Sequence, residues 1–325
     1  MSQKIRIGIV GYGNLGKGAE LALRQNTDME LVAVFSRRRL EKTLSGVPAL
    51  LVDEAEAYRD KIDVMLLCGG SATDLIEQGP RFSSLFNTVD SFDTHAKIPA
   101  YYAAMEQSAK ASGKAAAISV GWDPGLFSLN RLLAGAVLPQ GTDYTFWGKG
   151  VSQGHSDAVR RIPGVKTAKQ YTVPKQEAIS GVRSGTLPPV NAHEVHVRDC
   201  YVVAEPGADL AAIETAIKTM PHYFSDYETH VSFVSEQEFE ASHAGTPHGG
   251  FVFRTGQTSP DVNHVMEFAL KLDSNPEFTA SVLVAYARAV FRLAQHGGRG
   301  AYTVFDIPFG WLSPKSAAEL RQELL

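Results

Sequence analysis

The chain holds only two cysteines, Cys68 and Cys200. That excludes a disulfide framework and any CxxC-type metal site, and a lone cysteine reads as a small buried hydrophobe. The ten histidines show no HExxH or comparable ligand spacing, so no metal is expected. A GxSxG elbow is missing, which argues against a serine hydrolase. No uninterrupted apolar stretch has the length of a membrane span. The N-terminus enters a strand pattern within a few residues, without the apolar region of a signal peptide. The expectation is a reduced, cytoplasmic compartment. Charge of one sign is lacking too: 31 basic and 35 acidic residues leave a net charge of −4. Beyond Arg37-Arg38-Arg39 there is no run of like charge. This balance excludes a dedicated nucleic-acid binder or a membrane-surface protein. What is present is ample apolar material, 44% of 325 residues. It is enough to fold throughout and to fill two domains.

One segment is specific. Residues Ile5 to Val10 (IRIGIV) read as a short, apolar, β-branched strand buried on both faces. The turn Gly11-Tyr12-Gly13-Asn14-Leu15-Gly16 follows, then a helical pattern through Glu20, Leu21 and Leu23, then a strand from Leu31 to Phe35. Strand, glycine turn, helix and strand within about thirty residues make a dinucleotide-binding unit. Gly11 permits the tight turn, Gly13 lets the backbone approach a pyrophosphate, and Gly16 lets the helix pack close on the strand. The helix start then offers free N–H groups and a positive dipole end to phosphate oxygens. The end of the second strand selects the cofactor. A carboxylate that would accept from a ribose 2′-hydroxyl is absent, and Ser36-Arg37-Arg38 stand there instead. A hydroxyl and guanidinium forks suit a 2′-phosphate, so the expected cofactor is NADP(H).

A third strand, Val64 to Leu67, runs into Cys68-Gly69-Gly70-Ser71-Ala72-Thr73-Asp74, where Ser71 or Thr73 is expected to cap the next helix. A fourth, near Asn87 to Asp90, ends in Ser91-Phe92-Asp93, and a fifth, Ala115 to Val120, ends in Gly121-Trp122-Asp123-Pro124-Gly125. In a parallel sheet these ends converge on one edge, which places Asp93 and Asp123 near the reactive end of the cofactor. After Pro124 the character changes. Candidate strands at 143–148, 168–173, 194–204 and 229–234, with candidate helices at 154–161, 174–184 and 208–219, read as an α+β domain on a largely antiparallel sheet. From Pro276 to Gln295 one long amphipathic helix has the length to pack back on the first domain. The expected fold class is α/β. A Rossmann-type parallel-sheet dinucleotide-binding domain spans 1–123, with about 276–325 packing back on it, and an α+β domain spans 124–275. A Rossmann half by itself fixes no substrate. The residues alone leave open any NADP-dependent oxidoreductase on this scaffold, or a non-catalytic NADP(H) sensor.

The strings named above, together with Thr145-Phe146-Trp147-Gly148, Ser152-Gln153-Gly154-His155-Ser156-Asp157, Arg161-Ile162-Pro163-Gly164-Val165, Pro247-His248-Gly249-Gly250 and Asn275-Pro276-Glu277-Phe278-Thr279-Ala280-Ser281, resemble the meso-diaminopimelate D-dehydrogenase family. The resemblance runs from the first strand to about Ser281. It implies a homodimeric, NADP-dependent enzyme that deaminates the D-centre of meso-2,6-diaminopimelate oxidatively. It puts cofactor contacts on Gly11, Tyr12, Gly13, Asn14, Leu15 and Gly16, on Ser36, Arg37 and Arg38, and on Ser71, Ala72 and Thr73. It places the reacting amino-acid end on Asp93, Trp122 and Asp123, with Trp147, Gln153 and Gly154 nearby. The distal L-centre falls on Thr172, Arg198, His248 and Asn275. The chemistry agrees: Asp93 and Asp123 suit an ammonium, while Arg198, with Thr172 and His248, suits a carboxylate.

Overall fold

The computed structural model describes residues 4–325. It divides into two compact units: residues 1–129 with 276–325, and residues 130–275. The first unit thus runs on past the expected boundary at 123/124, to Leu129 within the helix Leu126–Val137.

Six strands come first: β1 (Ile5–Val10), β2 (Met29–Ser36), β3 (Ala49–Leu51), β4 (Val64–Leu67), β5 (Asn87–Asp90) and β6 (Ala115–Ala117). The second unit contributes β7 (Gly141–Trp147), β8 (Gly150–Val151), β9 (Val165–Pro174), β10 (His196–Ala204), β11 (Glu228–Phe233), β12 (His248–Ser259) and β13 (Val262–Leu272). Finally, β14 (Gly300–Tyr302) belongs to the first unit.

In the first unit seven parallel strands lie in the order β3-β2-β1-β4-β5-β6-β14. Strand order reverses between β1 and β4, which puts a crevice at their carboxyl ends. Both faces of the sheet are covered, and the alternation of side chains along each strand shows how. Ile5, Ile7 and Ile9, with Leu66, join one cluster that includes Leu283, Ala287 and Val290. Val10, Met65 and Leu67 join another with Phe82, Tyr101 and Met105. Burial on both faces is why β1 and β4 are continuous apolar runs. The expected fifth strand stops short. Regular pairing ends at Ala117, because Ser119 takes the left-handed conformation (φ 55°).

The long helix Asn275–Gln295 is held in the first unit by a buried cation as well as by its apolar face. Arg288 is 2% exposed and pairs with Asp28 at 2.6 Å. It also donates to Asn26 Oδ1 at 2.7 Å and to the Leu312 carbonyl at 2.7 Å. All three nitrogens of the fork donate, which is what a buried guanidinium requires.

The second unit departs from the single, largely antiparallel sheet expected. It has two sheets: four strands ordered β11-β10-β9-β8, and three ordered β13-β12-β7. In the first of these, β10 and β11 run parallel. The β12–β13 hairpin was not among the expected strands. Gly249 and Gly250 break its alternation, and much of β13 faces outward. The helix expected from Pro174 begins at Gln176, because Pro174 is still paired with His196 in the sheet.

Replacing Arg288 with Ala strands the Asp28 carboxylate and should cost about 3 kcal/mol of unfolding free energy, read by urea denaturation. Hydrogen bonding from Arg288 holds the Asp28 carboxyl below the ordinary carboxylate range. The stabilisation is therefore present at neutral pH. It is lost as pH falls through and below that range, and the variant should lack this part of the acid dependence.

Candidate active site

The glycine turn is shaped by one close approach. A Cβ at Gly16 would sit 2.1 Å from the Gly11 carbonyl oxygen, so only glycine lets the helix Asn14–Arg24 start there. No side chain caps that helix, whose cap position is Gly13. Gly13 and Asn14 are exposed, and Leu15 is half-buried. The hydroxyl of Tyr12 donates to the buried Glu20 carboxylate, which also accepts from the backbone and side chain of Ser45. Burial alone would raise the Glu20 carboxyl, but these hydrogen bonds outweigh it and hold it below its usual range.

A cavity of about 460 Å³ opens beside the turn, lined by Gly11, Tyr12, Gly13, Ser36, Arg37, Arg38, Cys68, Gly69 and Gly70 among others. Arg37 and Arg38 are exposed, and Ser36 Oγ accepts from the Arg38 N–H at 3.3 Å. Asp74, not singled out from sequence, bridges two strand ends. It pairs with Arg37 at 2.7 Å and accepts from the Gly70 N–H at 3.0 Å. Neither Ser71 nor Thr73 caps the helix Leu75–Ser83, whose cap residue is Asp74 without a side-chain cap bond. Instead Ser71 Oγ accepts from the Asp93 N–H at 3.1 Å, and Ala72 and Thr73 are exposed on the loop. An uncapped helix start and a cavity edged by a hydroxyl and two exposed guanidiniums fit a dinucleotide carrying a 2′-phosphate. Asp93 is exposed, while Trp122 is 7% exposed, packs edge-on against Phe127 and bridges back to Gly125, so that Asp123 lies inside a tight turn.

In the second unit, strand register assembles a second cluster. Gly150 pairs with Thr172, and Thr172 pairs with Arg198. A Cβ at Gly150 would lie 2.4 Å from the His248 ring, so the imidazole packs directly on bare backbone there. The Asn275 N–H donates to the Thr246 carbonyl at 3.1 Å, which ties Asn275 to the segment carrying His248. Gln153 and Gly154 begin the helix Gln153–Arg160 and are exposed.

Arg198 is 8% exposed, yet no carboxylate pairs with it among the described residues. Its Nη1 donates to Thr172 Oγ1, its guanidinium lies 3.9 Å from the centre of the Tyr227 ring, and its Nε has no partner. Burial pushes the guanidinium below its ordinary pKa. A desolvated cation without an anion is costly, and it is the arrangement of a site built to receive one.

His196 was missed from sequence because its role depends on tertiary contact. Its Nε2 accepts from the Trp147 N–H at 2.9 Å, and its Nδ1 lies 2.6 Å from the Ala192 carbonyl. A backbone N–H only donates and a carbonyl only accepts, so the ring is neutral with its proton on Nδ1. It thereby fixes the backbone of Trp147. Burial pushes His196 down to about 4, and burial with the charge of Arg198 pushes His155 to about 4 as well.

A doubly wound sheet with this turn, and a second unit whose buried Arg198 meets no carboxylate among the described residues, fit a dinucleotide-dependent oxidoreductase acting on an anionic substrate. A family model described as "Diaminopimelic acid dehydrogenase C-terminal domain" matches residues 121–274. The meso-diaminopimelate D-dehydrogenase of Ureibacillus thermosphaericus is 63% identical over 324 residues, 99% of both chains. The Corynebacterium glutamicum diaminopimelate dehydrogenase solved with diaminopimelate is 46% identical with a TM-score of 0.92, covering 99% of this chain and 100% of that one. An engineered D-amino acid dehydrogenase bound to NADP⁺ is 44% identical with a TM-score of 0.86, at the same coverage. The chain belongs to the meso-diaminopimelate D-dehydrogenase family.

Buried His196 and half-buried His155 both have folded pKa values below the ordinary imidazole value. Their neutral forms are favoured in the fold, so stability should hold above about pH 6.5 and fall as pH drops toward about 4, by at most about 3 kcal/mol for each ring. In a pH series of denaturant melts, the His196→Phe variant should lose its share of that slope. It should also be less stable at neutral pH by about 1–3 kcal/mol, because the Trp147 N–H is left unpaired.

Proposed function

We propose that this chain is an NADP-dependent meso-diaminopimelate dehydrogenase. It oxidises the D-centre of meso-2,6-diaminopimelate with NADP⁺, and water then displaces ammonia from the oxidised carbon, giving reversibly the oxo acid L-2-amino-6-oxopimelate, which cyclises to tetrahydrodipicolinate, together with NADPH. This places it in the diaminopimelate and lysine route. The observation that carries the reading is Arg198: a buried guanidinium that meets the Thr172 hydroxyl and Tyr227 but no carboxylate among the described residues calls for a ligand carboxylate.

The turn Gly11 to Gly16 and the helix start hold the pyrophosphate, Ser36, Arg37 and Arg38 the 2′-phosphate, and Ser71, Ala72 and Thr73 the loop beside it. NADP⁺ held there would supply the hydride acceptor for the D-carbon. Asp93 and Asp123 accept hydrogen bonds from the D-ammonium and so orient the Cα–H. One of them, directly or through water, takes the ammonium proton. Their charge favours the positive character that builds on nitrogen as the C–N bond gains double-bond character. Arg198, Thr172 and His248, with Asn275, hold the distal amino-acid group. Trp122 serves the reacting amino-acid end with the two aspartates, and Trp147, Gln153 and Gly154 are assigned near it.

The protein works as a cytoplasmic homodimer. No helix among the described residues is long and apolar enough to cross a membrane. The helix Leu126–Val137 exposes Leu132, Leu133 and Val137, each more than half exposed, an apolar stripe suited to a second copy. Light scattering should give twice the chain mass, and Leu133→Glu should shift it toward the monomer.

The direct test follows NADPH absorbance with NADP⁺ and meso-diaminopimelate. Absorbance should rise with this pair and stay flat with NAD⁺ or with the LL isomer. A flat trace from folded protein that binds NADPH would reject the substrate while leaving the cofactor. Arg198→Met should raise KM for meso-diaminopimelate roughly 10- to 100-fold, since a charged hydrogen bond is worth about 1.5–3 kcal/mol. NADP⁺ affinity should not change. Asp93→Asn and Asp123→Asn should lower kcat with cofactor binding intact.

A further inference from the structure

Asp90 closes β5 and is fully buried, yet it contacts no cation among the described residues. Its Oδ1 accepts from the Phe92 N–H at 2.9 Å and from the Ser119 N–H at 3.2 Å. Its Oδ2 accepts from the Tyr101 hydroxyl at 2.8 Å, and its carbonyl accepts from the Val120 N–H at 2.9 Å. Phe92 stacks on Tyr101 with ring centres 4.1 Å apart, which fixes the hydroxyl that orients the carboxylate. The two N–H groups on Oδ1 belong to different loops. One leads straight into Asp93. The other belongs to Ser119, in the left-handed conformation, just before Gly121-Trp122-Asp123.

We infer that Asp90 is the positioning residue of the reaction, one carboxylate that sets the loop of Asp93 and the loop of Asp123 in a fixed relation. The inference rests on the proposed roles of those two aspartates. Ordinary fold requirements do not explain a carboxylate here. The neighbouring strand ends meet through main-chain bonds, and burial pushes the Asp90 carboxyl up to about 6, so ionising it in place works against stability. What it provides is an acceptor that spans two loops at once. Both N–H groups donate to the same carboxylate oxygen, and buried backbone donors are seldom left unpaired.

The test compares Asp90→Ala, Asp90→Asn and Tyr101→Phe with the wild-type protein. It measures kcat and KM for meso-diaminopimelate and, by fluorescence titration, the Kd for NADPH. Asp90→Ala should lower kcat at least about 10-fold, the scale expected when reacting groups are misplaced by a fraction of an ångström. Its NADPH Kd should stay within about twofold, because the cofactor turn and the 2′-phosphate segment lie on β1 and β2. Asp90→Asn keeps an oxygen toward both N–H groups and should restore most of kcat. Tyr101→Phe, the milder change should Asp90→Ala fail to fold, should lower kcat by a few-fold with the same unchanged Kd. Wild-type kcat in Asp90→Ala would overturn the role. So would an Asp90→Asn no better than Asp90→Ala, or a Tyr101→Phe that leaves kcat untouched. A wild-type protein inactive on meso-diaminopimelate would overturn the underlying reading instead, before any variant is made.

Discussion

The parallel pairing of β1 with β2 and β4 is the constraint on which the first unit depends. Parallel strands end on one side, so every loop that follows them is delivered to the same edge. The glycine turn leaves β1 there, Ser36-Arg37-Arg38 leave β2, and Gly69 to Asp74 leave β4. Asp74 then links two of these ends by meeting both Arg37 and the Gly70 N–H. The same logic carries β5 and β6 to Asp93 and Asp123, whose loops meet through Asp90. Close packing at Gly16 sets how near the helix start comes to this edge. A side chain there would push it away.

The second unit poses a different problem, a charged group held in a dry place. Antiparallel register lines up Gly150, Thr172 and Arg198, and bare backbone at Gly150 admits the His248 ring. His155 and His196 are neutral beside this cation, as like charge and burial require. Keeping them neutral leaves Arg198 as the positive charge of the cluster, with its Nε unpartnered. The site keeps a desolvated cation in reserve, which costs stability in the free protein and favours an anionic ligand.

Much of this was legible in the sequence where local pattern and chemistry coincide. The strand before the glycine turn, Val64–Leu67 and Asn87–Asp90 occupy the expected residues, because buried parallel strands are short apolar runs with abrupt ends. The clustering of Thr172, Arg198 and His248 was readable only through family resemblance, since it depends on register between distant strands. Other features were not legible. The β12–β13 hairpin is masked by Gly249-Gly250 and by its outward-facing residues. Asp74, Asp90 and His196 look like ordinary turn or strand residues until their partners are known. The expected cap at Ser71 or Thr73 failed because Ser71 is engaged by the Asp93 N–H, a contact across two loops that no local rule contains.

In the proposed reading, the first unit supplies the dinucleotide turn and the two loop carboxylates Asp93 and Asp123, and the second supplies the buried cation Arg198. In the proposed reaction the reacting carbon is the D-centre, and the distal L-centre only binds. The most direct measurement uses meso-diaminopimelate deuterated at one centre or the other, with the label followed into NADPH by mass spectrometry. Deuterium at the D-carbon should appear in the reduced cofactor, and deuterium at the L-carbon should remain in the product. Label arriving from the L-carbon, or from both, would contradict the account.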